Sequence, residues 1–243
     1  MTSKTPKGVM DYNYSEERVS KKHLKFRYMS RAYETAKAFK KFSPEVISPN
    51  ILDFGSADGF TLLETHNLLN AKSSIGIEYS KELIEKAPKF PSNCLLIEGD
   101  VTQKNDAIKS KHYDLVSSLA ILEHLEKPEK LFENAFTALK VGGIFVASCP
   151  SPFWDKVSGS IKLHHDEFHA QDFDHNLFSE LSKKVGFRQL QYRKFMSAPV
   201  GFLPYLKLNI SPKFSHNFDN FLAFFKFLNW SFVNQLFVAQ KVS

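Results

Sequence analysis

The sequence predicts an α/β protein built on a mostly parallel sheet, and three observations predict it. Short apolar runs that read as buried strands alternate with amphipathic helical stretches from residue 50 onward. That alternation needs crossover helices, which cover the faces of a parallel sheet and leave ligands to bind beyond the carboxyl ends of the strands. At 243 residues, 43% hydrophobic and 24% charged, the chain can bury the core of one such domain with extensions. No internal repeat or low-complexity linker interrupts it.

Taken in order, residues 18–42 lack Gly and Pro and read as a long basic helix, part of a helical extension over residues 1–45 that caps a domain of residues 46–243. Asn50 to Phe54 is a first strand, and Gly59 to Leu69 the helix after it. Ser74 to Glu78 is a second strand, followed by a helix from Ser80 to Ala87, with Ser80 as N-cap and Glu82 in its first turn. Cys94 to Ile97 and Tyr113 to Ser118 are the third and fourth strands. A helix from Pro128 to Lys140 stops at Gly142 and Gly143, ahead of a fifth strand from Ile144 to Ser148. A helix over Asn176 to Val185 and two more strands, Phe187 to Tyr192 and Leu236 to Gln240, complete the pattern. Segments near 150–175 and 195–232 read as insertions on the acceptor side, the second carrying a Phe-rich helix from Phe218 to Phe232.

Composition removes several function classes. The longest apolar stretch, Phe221 to Val233, is broken by Lys226 and Asn229 and falls short of the roughly 20 residues that span a bilayer. No apolar core follows the basic N-terminus, so no secretory signal is expected. Cys94 and Cys149 both sit in strand-like runs, which argues against a disulfide framework and for a cytoplasmic location. Charge is uneven: residues 1–42 carry a net +7, residues 183–243 a net +8, and the span between them −9, within an overall +6. Converging basic ends would favour an anionic acceptor, a nucleic acid backbone or an anionic membrane surface; a solvated basic helix is the simpler reading.

The chemistry begins at the first strand-to-helix turn, Asp53-Phe54-Gly55-Ser56-Ala57-Asp58-Gly59-Phe60. Small residues at 55, 57 and 59 let backbone approach a ligand closely. A dinucleotide fingerprint needs a third Gly where Phe60 stands, and Asp53 would oppose a pyrophosphate, so a nicotinamide-dependent oxidoreductase is disfavoured. A carboxylate there suits a ligand with a cationic end. Glu78 ends the second strand, beside Tyr79, where an acid accepts ribose hydroxyls. Asp100 and Val101 follow the third, where an acid can take an adenine amino group. Three acids at successive strand ends describe a pocket for adenine, ribose and a charged amino-acid tail.

In the order Leu-Asp-x-Gly-x-x-x-Gly, Ile-Gly-Ile-Glu and Glu-Gly-Asp, residues 48–150 resemble class I S-adenosylmethionine-dependent methyltransferases. The run from Tyr113 to Leu125, with its Glu-His-Leu, and the later Val141-Gly142-Gly143 are similar to the ubiquinone/menaquinone-biosynthesis branch, which acts on small molecules. The resemblance implies a Rossmann-like three-layer sandwich, with a seven-stranded mostly parallel sheet and an antiparallel last strand. It implies S-adenosyl-L-methionine as cofactor and S-adenosyl-L-homocysteine as product. By position it puts Asp53, Gly55, Ala57 and Gly59 around the methionine part, Glu78 at the ribose and Asp100 with Val101 at the adenine, with Ser56, Asp58, Tyr79 and Leu119 as further cofactor-binding residues. The family's central Gly is Ala57 here.

Methyl transfer needs alignment above all, with a base where the acceptor is a hydroxyl. His124, just after the fourth strand, is the first candidate for that base; packing at a helix start is its alternative. His165 and His169, four apart in the cluster 164–172, could face one pocket if helical. No familiar metal-ligand spacing emerges there, so no metal is expected. Nucleic acid is a weak substrate despite a pI of 9.1, since the Asn/Asp-Pro-Pro-Tyr signature is absent and Cys149 precedes its Pro. The expected acceptor is a small molecule, apolar, lipid-linked or saccharide, methylated on O or C, with peripheral membrane contact open to the Phe-rich segment. A catalytically inactive cofactor-binding partner subunit is the main alternative. Arg27, Tyr28 and Arg31 are the helix residues expected to cover the cofactor and supply a cation.

Overall fold

Strands β1 (Asn50–Phe54), β2 (Ser73–Glu78), β3 (Cys94–Glu98), β4 (Tyr113–Leu119), β5 (Leu139–Pro150), β6 (Phe187–Ser197) and β7 (Phe232–Lys241) form one sheet in the order β3-β2-β1-β4-β5-β7-β6. The structure, a computed structural model, describes residues 12–160 and 170–243. β1 to β5 run parallel, and β7 runs antiparallel between β5 and β6, as expected for its last strand. β1, β4, β7 and β5 from Gly143 to Cys149 are almost wholly buried, which is why they read as continuous apolar runs rather than alternating ones.

Helices cover both faces. On one face α2 (Lys22–Phe42) and α3 (Phe60–Leu69) bury Phe26, Phe39 and Leu62 against Ile51, Leu115 and Val146. On the other, α5 (Pro128–Ala138) and α7 (His175–Val185) bury Leu131, Phe132 and Phe178 against Leu52, Phe145 and Phe237. Local signals set several boundaries. Ser80 caps α4 (Lys81–Glu85), Asp174 caps α7 by accepting from the Leu177 N–H, and Gly186 ends α7 in the left-handed conformation.

Three expectations need correction. The N-terminal helix is two helices, α1 (Tyr12–Ser20) and α2, because Lys21 between them is extended. The helix after Pro128 ends at Ala138, and β5 starts at Leu139, where Tyr113 pairs with it across a bulge. The Phe-rich segment between β6 and β7 is not one helix. α8 (Ala198–Phe202) and α9 (Pro212–Ala223) are followed by a 3₁₀ turn, Lys226–Ser231, so the helix stops well short of Phe232.

The chain leaves β1 toward β2 and β3 on one side and returns to β4 on the other, so the strand order switches between β1 and β4. Ligands of open parallel sheets bind at such a switch point. Among the described residues no helix is long and apolar enough to cross a membrane.

Candidate cofactor and acceptor site

The turn from β1 into α3 fills the switch point, and its backbone explains its small residues. Gly55 and Gly59 lie at φ of +71° and +77°, and Ala57 at +49°. A Cβ on Gly55 would come within 2.3 Å of Ile121. Ala57 therefore holds a left-handed conformation that a glycine would adopt without strain. The turn is tied to β2 by the Gly55 and Ser56 N–H groups, which both donate to the Ile77 carbonyl, at 2.9 and 3.2 Å.

Asp53 and Glu78 are brought together here. Asp53 is buried and accepts from the Ser117 hydroxyl of β4 at 2.6 Å, bridging the two strands that flank the switch point. Loss of solvent pushes its carboxyl up to about 6, against the Ser117 and Ser56 bonds that favour the ion; Glu78 adds repulsion. Glu78 accepts from the Ala57 N–H and from the Ser80 N–H, each at 2.8 Å, one on each oxygen. Its burial also raises its pKa, and Asp58 contributes. The Tyr79 N–H also favours the ion, and the Glu78 carboxylate keeps lone-pair capacity for a hydroxyl donor.

Asp100 is engaged by its own loop. One oxygen accepts from the Thr102 N–H and hydroxyl, at 2.8 and 2.7 Å, and the other from Gln103 at 3.1 Å. Val101 is buried beneath it, Leu119 ends β4 half-buried, and Tyr79 is exposed. His124 closes a 3₁₀ turn, Leu122–His124, and is half-buried. His165 and His169 lie outside the described residues. Among the described residues no group of His, Cys, Asp and Glu could hold a metal ion.

Three features escaped the sequence reading. Arg18 of α1 reaches Asp58 at 2.8 Å and the Thr61 hydroxyl at 2.9 Å, a pair whose side chains are only 5% and 0% exposed. Arg18 also lies over the Tyr28 ring, 5.2 Å from its centroid, and Tyr28 packs on Phe60. Of the helix residues expected here, Tyr28 meets the ring of Phe60, and Arg27 donates to the Tyr205 hydroxyl. Phe60 thus stands where a dinucleotide turn needs Gly because α3 packs against α2 through it. Ser117 is the second feature; nothing in a strand-like Val-Ser-Ser run marks it out. Glu123 is the third: it is buried at the acceptor end of β4, and its carboxylate, beside Cys149, helps burial raise that thiol well above its ordinary value. A thiol held neutral in this way is a poor nucleophile.

Polar atoms left open mark the same edge. Asp58 Oδ2 in the turn, Ser118 Oγ and Ser148 Oγ at the ends of β4 and β5, and Glu123 Oε2 are buried without a hydrogen-bond partner among the described residues. Others of this kind, Ser30, Thr35 and Ser182, lie on α2 and α7, and buried polar groups seldom stay unsatisfied, so a polar ligand at this end of the sheet would find acceptors in Asp58 and Glu123. A cleft of about 350 Å³ between α2, β6 and α9, lined by Lys37, Lys41 and Arg193, contains none of these residues.

A methyltransferase domain family matches residues 23–194. The chain belongs to this family. The cofactor that goes with it is S-adenosyl-L-methionine. Among solved structures, an S-adenosylmethionine-dependent methyltransferase from Archaeoglobus fulgidus is 17% identical, with a TM-score of 0.65 over 95% of this chain and 100% of that one. A second, from Mesorhizobium loti, is 18% identical, with a TM-score of 0.58 over 84% and 96%. The Haemonchus contortus phosphoethanolamine N-methyltransferase 2, solved with S-adenosyl-L-methionine, is 15% identical, with a TM-score of 0.61 over 98% of this chain and 62% of that one. No curated protein matches. At these identities the likeness is one of fold.

Proposed function

We propose that the chain binds S-adenosyl-L-methionine across the ends of β1, β2 and β3 and transfers its methyl group to a small apolar or lipid-linked acceptor, on oxygen or carbon. The observation that carries this reading is the pair of buried carboxylates, Asp53 and Glu78, held beside a turn whose backbone is left-handed at residues 55, 57 and 59. A pyrophosphate would meet Asp53 and Glu78 at this turn, whereas a ligand with a cationic end meets charge of the right sign.

When bound, the cofactor supplies a methyl carbon on a cationic sulfur, and the acceptor's lone pair bonds that carbon as the carbon–sulfur bond breaks. The residues of the chain bind and orient. Glu78, already fixed by two backbone N–H groups, takes the ribose hydroxyls with its remaining lone pairs. Asp53, oriented by Ser117, balances the ammonium of the methionine part. Asp100 and Val101 border the adenine, and Gly55, Ser56 and Leu119 line the floor. Arg18 holds Asp58 and closes α1 over the turn.

On the acceptor side Glu123 joins His124 as a candidate proton acceptor, because its buried Oε2 has no partner among the described residues. A base is needed only when the acceptor is a hydroxyl or an acidic carbon. The apolar or lipid-linked acceptor is supported by position. β6 runs parallel to β5, so the Phe-rich segment 198–231 leaves the sheet at the same edge as the ends of β1 to β5.

Incubation with cofactor labelled on its methyl group, against a panel of quinols, prenyl phenols, lipids and sugars, tests the reading. Label should pass into an apolar product as S-adenosyl-L-homocysteine is released. Calorimetric binding of NAD with none of S-adenosyl-L-methionine would overturn it.

A further inference from the structure

Segment 198–231 turns the usual helix pattern inside out. α9 buries Ser215 and Asp219 and exposes Phe214 and Phe221. Asp219 holds it there, accepting from the Met196 and Ser197 N–H groups at 2.6 and 2.9 Å, so the polar face is anchored on the end of β6. Beyond α9 the exposure increases: Phe224 is 84% and Phe227 75% exposed and Trp230 faces outward, as does Leu206 ahead of α9. These side chains are not scattered. Phe221, Phe224 and Phe227 each contact the Phe225 ring, at centroid distances of 5.4 to 6.1 Å. A second row, Phe153, Trp230, Trp154, Phe202 and Tyr205, continues ring to ring at 5.9 to 6.4 Å. A contiguous aromatic surface of this kind marks an interaction site on a water-facing protein.

Its charge selects the partner. Lys207, Lys213 and Lys226 are exposed among the rings, and the one acid of residues 183–243, Asp219, is buried under α9. Within segment 198–231, aromatic rings with Lys and no exposed acid are complementary to the interface of an anionic bilayer, where rings enter the headgroup boundary and ammonium groups meet lipid phosphates. Protein–protein interfaces are depleted of Lys, so Lys207, Lys213 and Lys226 beside the rings favour a lipid surface over a protein partner. We infer that the 198–231 segment, with the ring of Phe153, is a docking surface for anionic membrane, seating the sheet edge that carries Asp53 and Glu123 toward the lipid. This goes beyond the methyl-transfer reading and does not depend on it, since docking needs no cofactor.

Cosedimentation of the whole chain with vesicles tests it. Vesicles of phosphatidylcholine mixed with phosphatidylserine should capture the chain, pure phosphatidylcholine should capture much less, and added salt should release part of it. Phe224→Ser, Phe227→Ser and Trp230→Ser are substitutions at exposed sites, and each should lower partitioning about tenfold, with little change in Tm. Lys213→Glu with Lys226→Glu should remove the preference for phosphatidylserine. Failure of the wild-type chain to bind either vesicle overturns the inference. So does a concentration-dependent dimer, seen by ultracentrifugation and abolished by the three Ser substitutions, in a chain that ignores vesicles: the rings would then meet a second copy.

Discussion

Replacing Asp53 with Asn should make the free protein more stable and a poorer binder of S-adenosyl-L-methionine. In the folded chain the Asp53 carboxyl is raised from 3.8 to about 6, chiefly by burial. For an acid raised in this way, the favourable contribution is complete below 3.8 and is lost as pH climbs through 6, since the native state then gives up a proton at a cost the unfolded chain does not share. At 1.36 kcal/mol per unit, the penalty at neutral pH is about 3 kcal/mol as an upper bound. An Asn side chain still accepts from Ser117 and carries no charge, so a gain of about 1–3 kcal/mol is expected, or roughly 3–10 °C in Tm for a chain of this size. Losing the anion opposite a cationic ligand costs about 1.5–3 kcal/mol, or roughly ten- to a hundredfold in Kd. Two assays decide it: thermal unfolding at pH 7, and calorimetric titration with the cofactor between pH 5 and 7. The wild-type Kd should rise toward tenfold per pH unit below about 6, and the Asn variant should show a weaker dependence, left to Glu78. A variant that unfolds earlier than wild type, or binds the cofactor equally well, refutes the reasoning.

Ala57→Gly should stabilise the chain by about 0.5–1 kcal/mol, because relief of roughly 1–2 kcal/mol of left-handed strain outweighs the added freedom of Gly in the unfolded state; a lower Tm on thermal unfolding would show that the turn is not strained. Arg18→Ala leaves Asp58 buried and unpaired, which should cost about 3–5 kcal/mol, and a Tm shift of under 2 °C would mean that α1 does not close on the turn. Glu123→Gln should lower kcat with a hydroxyl acceptor by about a hundredfold or more while leaving the cofactor Kd unchanged. Equal turnover by wild type and Gln variant would remove Glu123 from the proton path.

Most of the sheet was legible because each strand is short, apolar and bounded by turn residues, and because parallel pairing buries both faces. The expected first, second, third and fourth strands lie within a residue or two of those observed. The turn 53–60 was legible for a different reason, since small residues mark the close approach of backbone. Helix ends were harder. Ala138 gives way to β5 through pairing between Leu139 and Tyr113, a tertiary contact that no local signal carries. In the Phe-rich segment the density of hydrophobic residues points to a helix up to Phe232, whereas α9 turns its polar side inward and stops at Ala223. Arg18 and Glu123 went unnoticed because a lone Arg in a basic helix and a Glu beside a more conspicuous His carry no pattern; only burial sets them apart.

The central claim is that Asp53 and Glu78 face a common adenosyl ligand at the ends of β1 and β2. A crystal structure of the chain with S-adenosyl-L-homocysteine tests it most directly. The ribose hydroxyls should lie within hydrogen-bond reach of Glu78, with the amino group on the Asp53 side and adenine against Val101. Electron density for the ligand elsewhere, with Glu78 still bonded only to the Ala57 and Ser80 N–H groups, would contradict it.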